Sequence, residues 1–152
     1  MKKLYLLLML CVFSCVAWSC SDNDDDKDTP ISLADLPNAA RTFISKFVPD
    51  DEVVRVVKEV SASNVQYDVR FRSGLEIEFD AAGNWTDVDA PNGQTVPTGI
   101  VPVEIQKYID TNYNAIGVNE ISVDARGNYE VELLSGVDLL FDADGNFIRV
   151  DN

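Results

Sequence analysis

At 152 residues, with no histidine, three cysteines and a net charge of −14 from 12 basic and 26 acidic side chains, the chain is sized for one domain or two small ones. Its acidity repels nucleic acid, and no basic patch interrupts it, so nucleic-acid binding is excluded. Without imidazole, Ser-His-Asp and Cys-His catalysis and histidine-held zinc are excluded as well.

The first predicted element is a leader over residues 1–19. Lys2 and Lys3 form a positive start, Leu4 to Phe13 a nearly unbroken apolar run, and small residues follow. That run is shorter than the roughly 20 residues a bilayer-spanning helix needs, so it reads as an export signal. It ends in Trp18-Ser19-Cys20 followed by SDNDDDKD. A small residue before cysteine at the end of such a run resembles the lipobox of bacterial lipoproteins, which implies lipidation of Cys20 and a membrane anchor there. The acidic residues after it resemble the signal by which some Gram-negative bacteria place lipoproteins on the outer face of the outer membrane. An outer-membrane lipoprotein, surface-exposed or periplasmic, is therefore expected. Trp18 is bulkier than the lipobox usually carries. Cys15, preceded by Ser14, is the competing site, but it would leave Val16, Ala17 and Trp18 at the head of a polar segment.

Cys11 and Cys15 leave with the leader, so Cys20 has no thiol to pair with and the exported chain folds without disulfides. Loss of Lys2 and Lys3 takes the charge from 12 − 26 to 10 − 26, or −16. Residues 20–30 carry, beyond the anchor, no large apolar side chain and are expected to be an acidic disordered tether. At about 3.5 Å per residue it would reach roughly 35 Å.

From Ile31 the composition becomes globular and repeats. Aligning 64–89 with 126–151 matches Tyr67, Val69, Ser73-Gly74, Phe79-Asp80-Ala81, Gly83-Asn84 and Val88-Asp89 with the residues 62 positions later, eleven identities in 26. Two modules are expected, 31–90 and 100–152, joined by a turn-rich linker over 91–99. Each opens with a helix. In the first, Leu36, Ala40, Phe43, Ile44 and Phe47 recur at helical spacing, with Pro37 in the first turn and Pro49 as the stop. In the second, Pro102 opens a helix with Ile105, Tyr108, Ile109 and Tyr113 on one face and Gly117 beyond its end.

The period then changes to two. Val65, Tyr67, Val69 and Phe71 alternate with polar residues, as do Leu75, Ile77 and Phe79, which predicts a hairpin closed by Arg72-Ser73-Gly74 with Arg70 opposite Glu76. The second copy sets Leu133 opposite Val137 around Ser135-Gly136. First strands are expected over 53–60 and 118–125, and fourth strands over 85–89 and 147–151. In the fourth strands Ile148 and Val150 have the opposite parity from Phe147, so either a bulge intervenes or one of the aromatics Trp85 and Phe147 faces outward.

Between third and fourth strands stand FDAAGNW (79–85) and FDADGNF (141–147). Asp first and Gly fourth is a turn signature. A calcium loop would want Gly sixth and Glu twelfth, whereas the twelfth residue from Asp80 is Pro91 and from Asp142 none remains. No metal and no cofactor is expected, with a weak calcium site as the alternative.

Helix then four antiparallel strands, twice, with the Leu36-Pro37 start, the Ser-Gly hairpins and the D-x-x-G-N turns, resembles the PepSY-like family of exported bacterial proteins, related in architecture to the beta-lactamase inhibitory protein. The resemblance implies an α+β fold in which two tandem modules form one larger sheet with helices on one face, and a partner docked on the open face. A non-catalytic protein-binding role, with enzyme inhibition as one form of it, is expected rather than an enzyme. Glu76 and Glu78 alternate on a solvent-facing strand, not in a cleft. The candidate partner-binding residues are the outward ones, Asp68, Arg70, Glu76 and Glu78 in the first copy and Glu130, Glu132, Asp138 and Leu140 in the second. A structural or stress-related envelope protein without a discrete ligand is the alternative class.

Overall fold

The computed structural model describes residues 27–61 and 64–151. The leader, the anchor at Cys20 and the tether up to residue 26 lie outside the described residues. The chain forms strand β1 (Lys27–Pro30), a short 3-10 turn (Leu33–Asp35), helix α1 (Asn38–Phe47) and strands β2 (Val53–Ser61), β3 (Asn64–Phe71), β4 (Glu76–Asp80) and β5 (Trp85–Asp89). Helix α2 (Val103–Asn112) and strands β6 (Val118–Val123), β7 (Tyr129–Leu133), β8 (Asp138–Phe141) and β9 (Phe147–Asp151) follow. The nine strands make one antiparallel sheet in sequence order.

The tether is corrected at its C-terminal end. Lys27–Pro30 is not loose but pairs with β2, with Thr29 opposite Lys58 and Pro30 opposite Val57. Composition hid this, because the strand contributes backbone pairing rather than apolar side chains. It covers the outer edge of the nine-residue β2, where Pro30, with no N–H to offer, is tolerated on an edge strand.

Both helices start one residue later than a proline in the first turn would require. Pro37 and Pro102 are the N-caps, extended at ψ 146° and 143°, so their missing N–H costs no helical hydrogen bond. Beyond α2 the left-handed turn falls on Asn114 and Ala115, at φ 53° and 55°, rather than on Gly117. Gly117 is needed instead for close approach, since a Cβ there would collide with Thr95.

The hairpin registers follow the sequence expectation. Phe71 N–H donates to Leu75 O at 2.9 Å, Arg70 stands opposite Glu76, and Leu133 N–H donates to Val137 O at 3.0 Å. Bulges resolve the fourth strands. Phe79 pairs with Trp85 but Glu78 with Asp87, leaving Thr86 as the extra residue, and Phe141 pairs with Phe147 but Leu140 with Arg149, leaving Ile148. Trp85 and Phe147 therefore both turn to the core side, where Trp85 lies 6.3 Å from Phe43 and Phe147 stacks on Tyr108 at 4.6 Å.

Cross-strand partners share a face, so Val69, Ile77, Val88, Ile121, Val131 and Leu139 form one apolar row across six strands, all fully buried. α1 packs on this face through Phe43 against Phe79, and α2 through Tyr108 against Phe141. Both helices thus lie on the same side, and a single core runs under them. β5 joins β6 in the middle, with Val88 opposite Ile121. Asn119, the extra residue of a bulge in β6 and, among the described residues, the one buried polar side chain of the core, ties the preceding linker down by donating from Nδ2 to Ala90 O (2.8 Å) and Gln94 O (3.0 Å).

The heptad turn occurs three times, not twice. Asp80 Oδ1 accepts from the N–H groups of Ala82 and Asn84, Asp124 Oδ1 from Arg126 and Asn128, and Asp142 Oδ1 from Asp144 and Asn146. In each, the Asn side chain donates to the second carboxylate oxygen, at 2.9 to 3.0 Å. Gly83, Gly127 and Gly145 close the turns at φ 81° to 87°.

Candidate functional site

The face opposite the helices is where the chain departs from ordinary sheet chemistry. One row of cross-strand neighbours reads Arg70, Glu76, Asp89, Glu120, Glu132, Asp138, Asp151, which is six carboxylates on six successive strands, β4 to β9. At about 4.8 Å between strands the acids span roughly 24 Å. A second row reads Val57, Asp68, Glu78, Asp87, Ser122, Glu130, Leu140, Arg149. Like charges directly opposite each other destabilise a sheet, and here the arrangement is repeated strand after strand. Among the described residues, ion pairs along this row stand at its two ends. Arg70 bridges Glu76 at 2.7 Å, and Arg149 bridges Asp151 at 2.7 Å.

The eight outward residues named from the sequence all fall on this face. Asp68 stands opposite Glu78, Arg70 opposite Glu76, Glu130 opposite Leu140 and Glu132 opposite Asp138. The two groups do not touch each other. Asp87, Asp89 and Glu120, on the strands between them, make the surface continuous, and sequence reasoning missed all three. Asp87 and Asp89 face outward only because the bulge at Thr86 reverses the parity that Trp85 sets, and Glu120 depends in the same way on the bulge at Asn119.

Crowding shows in the acid–base chemistry. Burial is the largest influence on Asp87, and Glu120, Glu78 and Asp89 add to it, so its carboxyl is pushed up to about 7. A hydrogen bond shared with Glu120 adds to the rise at Asp87, and the Glu120 carboxyl is itself raised by burial and by Asp89, Glu132 and Glu130. Burial followed by Glu76 raises Asp68 and Asp89, and burial followed by Asp68 raises Glu78. Asp68 also keeps one buried carboxylate oxygen without a hydrogen-bond partner, beside the fully buried Val57. Among the described residues no three acidic side chains converge as a metal cage, since the acids lie side by side along the strands.

On the helix side, an apolar groove of about 560 Å³ lies between the end of α1 and the start of β2, and one of about 620 Å³ lies between α2 and the linker. Among the described residues no hydrogen bond or ion pair joins the side chains of Arg41, Ser45 and Asp51 in the first or those of Lys107 and Asp110 in the second. The turn carboxylates are occupied by their own loops. Hydrogen bonds from Asn146 hold Asp142 below the usual range, and those from Asn128 do the same for Asp124; at Asp80 burial works the other way but the Asn84 hydrogen bonds prevail.

Known proteins share this architecture. The family model described as "Putative beta-lactamase-inhibitor-like, PepSY-like" matches residues 65–149. A solved structure from Bacteroides thetaiotaomicron, described as a "putative calcium-regulated periplasmic protein", is 38% identical at a TM-score of 0.77, covering 82% of this chain and 97% of its own. A "putative periplasmic protein" of the DUF2874 family from Bacteroides vulgatus is also 38% identical at a TM-score of 0.76, with the same coverage. A second Bacteroides vulgatus protein, "of unknown function", is 31% identical at 0.77, covering 83% of this chain and all of its own. No curated protein matches the chain. With more than half of its length matched by the family model and close structural relatives along nearly all of the folded part, the chain belongs to the PepSY-like, beta-lactamase-inhibitor-like family.

Proposed function

We propose that this chain is an exported, non-catalytic binding protein that engages a basic surface of a partner protein through the acidic face of its sheet. The observation that carries the proposal is the row of six carboxylates on successive strands, whose ion pairs among the described residues stand at its two ends. Such a row weakens the isolated sheet and is relieved when cations are laid against it. The two repeated units, 31–90 and 100–152, then act as one surface, because β5 and β6 fuse their acidic strands. Periplasmic relatives support export, and Cys20 is the proposed anchor. Mass spectrometry of the mature N-terminus should find an acylated Cys20, and Cys20→Ala should release the protein.

The binding test is capture from envelope extract with the charge reversals Glu76→Lys/Glu78→Lys and Glu120→Lys/Glu132→Lys, beside Glu104→Lys/Asp110→Lys on the helix side. Binding should fall with the sheet reversals and with added salt, since exposed charges are screened beyond about 8 Å at physiological ionic strength. Capture that survives both sheet reversals and high salt would move the interface to the helix side.

Calcium is the second reading, favoured by the acidic rows together with the relative described as calcium-regulated. Here the ions would neutralise the face rather than enter the turns. Calcium should then raise the melting temperature of the wild type more than that of Glu120→Lys/Glu132→Lys.

A further inference from the structure

β5 and β9 occupy equivalent places in the repeat, yet one lies mid-sheet and the other forms the free edge. Their pairing with the preceding strand is the same residue for residue. Glu76, Ile77, Glu78 and Phe79 face Asp89, Val88, Asp87 and Trp85, as Asp138, Leu139, Leu140 and Phe141 face Asp151, Val150, Arg149 and Phe147. The bulge at Thr86 leaves 87–89 regular enough to pair with β6, so the bulge at Ile148 leaves 149–151 equally able to pair. What differs is cover. Val88 is fully buried against Ile121, whereas Val150 is 40% and Ile148 49% exposed.

We propose that the β9 edge pairs with β9 of a second copy of this chain about a two-fold axis at Val150, giving a closed dimer with one continuous sheet. Placing a second β9 where β6 stands relative to β5 sets Val150 against Val150, as Val88 meets Ile121. It also sets Arg149 of each copy against Asp151 of the other. The intramolecular seam carries acid against acid, Asp89 opposite Glu120, but the free edge offers opposite charges in both directions. A two-fold contact of this kind is self-complementary and closes after two chains. The opposite edge is unsuited to the same role, because Pro30 in β1 lacks an N–H to donate. The occupant is therefore another β9, and head-to-tail growth through β1 is disfavoured.

The test uses the full chain, exported with its own leader and extracted in mild detergent. Antiparallel partners lie about 4.5 to 5.5 Å apart at Cα, within disulfide range, so Val150→Cys should cross-link to itself under oxidation. Val103→Cys, on the outer face of α2 and 78% exposed, is the control and should cross-link at least about tenfold less by the same geometric criterion. In sedimentation, Arg149→Asp should raise the dimer dissociation constant about tenfold, from two reversed cross-strand pairs, and Arg149→Asp with Asp151→Arg should restore it. A wild type that sediments as a monomer, equal cross-linking at both cysteines, or a dimer indifferent to Arg149→Asp would each overturn the proposal.

Discussion

Asp87 offers the sharpest test of the crowded face, because its charge should make the fold lose stability as pH rises. Its carboxyl is lifted from 3.8 to about 7 by burial, with Glu120, Glu78 and Asp89 adding to the shift. Between those values the folded chain holds a proton that the unfolded chain has released, so stability falls as pH climbs and the penalty is complete above about 7. At 1.36 kcal/mol per unit the full shift would cost roughly 4 kcal/mol. Asp87 is only half-buried, and solvent screening reduces this to about 1–2 kcal/mol. Asn in its place carries no charge and can still donate to Glu120. Asp87→Asn should therefore stabilise the protein by about 1–2 kcal/mol at pH 8, or ~3–8 °C in melting temperature for a fold of this size, and have little effect at pH 4. Thermal melts of both proteins across pH 3 to 9, followed by far-UV circular dichroism, read this directly. The wild type should be most stable near pH 4 and weaken again at lower pH, where the turn aspartates Asp80, Asp124 and Asp142 are protonated and lose their hydrogen bonds. An equal gain from Asp87→Asn at pH 4 and pH 8, or none at pH 8, would refute the crowding argument.

Valine at Gly83 should cost about 3 kcal/mol or more and at Gly145 about 1–3 kcal/mol, because beyond the positive φ a Cβ at Gly83 would press on Pro37 Cβ at 2.7 Å and Ala40 N at 2.9 Å, whereas at Gly145 it meets Glu104 Cβ at 3.1 Å; urea denaturation ranks the two. Asn119→Ala should cost about 1–3 kcal/mol by leaving the carbonyls of Ala90 and Gln94 without their donor, and hydrogen exchange should show the linker opening before the strands. Asp142→Ala should lower stability by about 1 kcal/mol through the lost turn hydrogen bonds, with any calcium-induced rise in melting temperature unchanged in size. A calcium response abolished by that substitution would return the metal to the turn.

The parts of the fold visible in the sequence are those where one local rule dominates. Alternation of Tyr67, Val69 and Phe71 with Leu75, Ile77 and Phe79 across Ser73-Gly74 leaves one register for the hairpin, and that register is observed. The third Asp-Gly turn, at Asp124, carries the same D-x-x-G-N spelling but was hidden within an expected strand extending to Ala125. β1 was unreadable for a different reason. An edge strand that contributes backbone pairing, with Thr29 and Pro30 as its contacts, needs no apolar pattern, and acidic composition then looks like disorder.

The acidic face was half legible in the sequence. Outward residues on β3, β4, β7 and β8 follow from simple alternation. Those on β5 and β6 do not, because Thr86 and Asn119 each insert one residue and flip the faces after them. Without the bulge at Thr86, Asp87 and Asp89 would point into the core beneath α1 and Val88 would face water. With it, Trp85 and Val88 both reach the core and the two aspartates join Glu76, Glu78 and Glu120. The same bulge recurs at Ile148, where it turns Phe147 inward and Arg149 and Asp151 outward. One irregularity, used twice, thus does two things at once. It buries an aromatic against each helix, and it extends the line of carboxylates without a break from β4 to the edge of the sheet. A sheet built only for stability would gain the first from the bulge and fill the outward positions with alternating charges. Placing acids there on strand after strand sacrifices stability on a surface that the core does not need, which is the physical reason to look for a cationic partner on that face rather than under the helices.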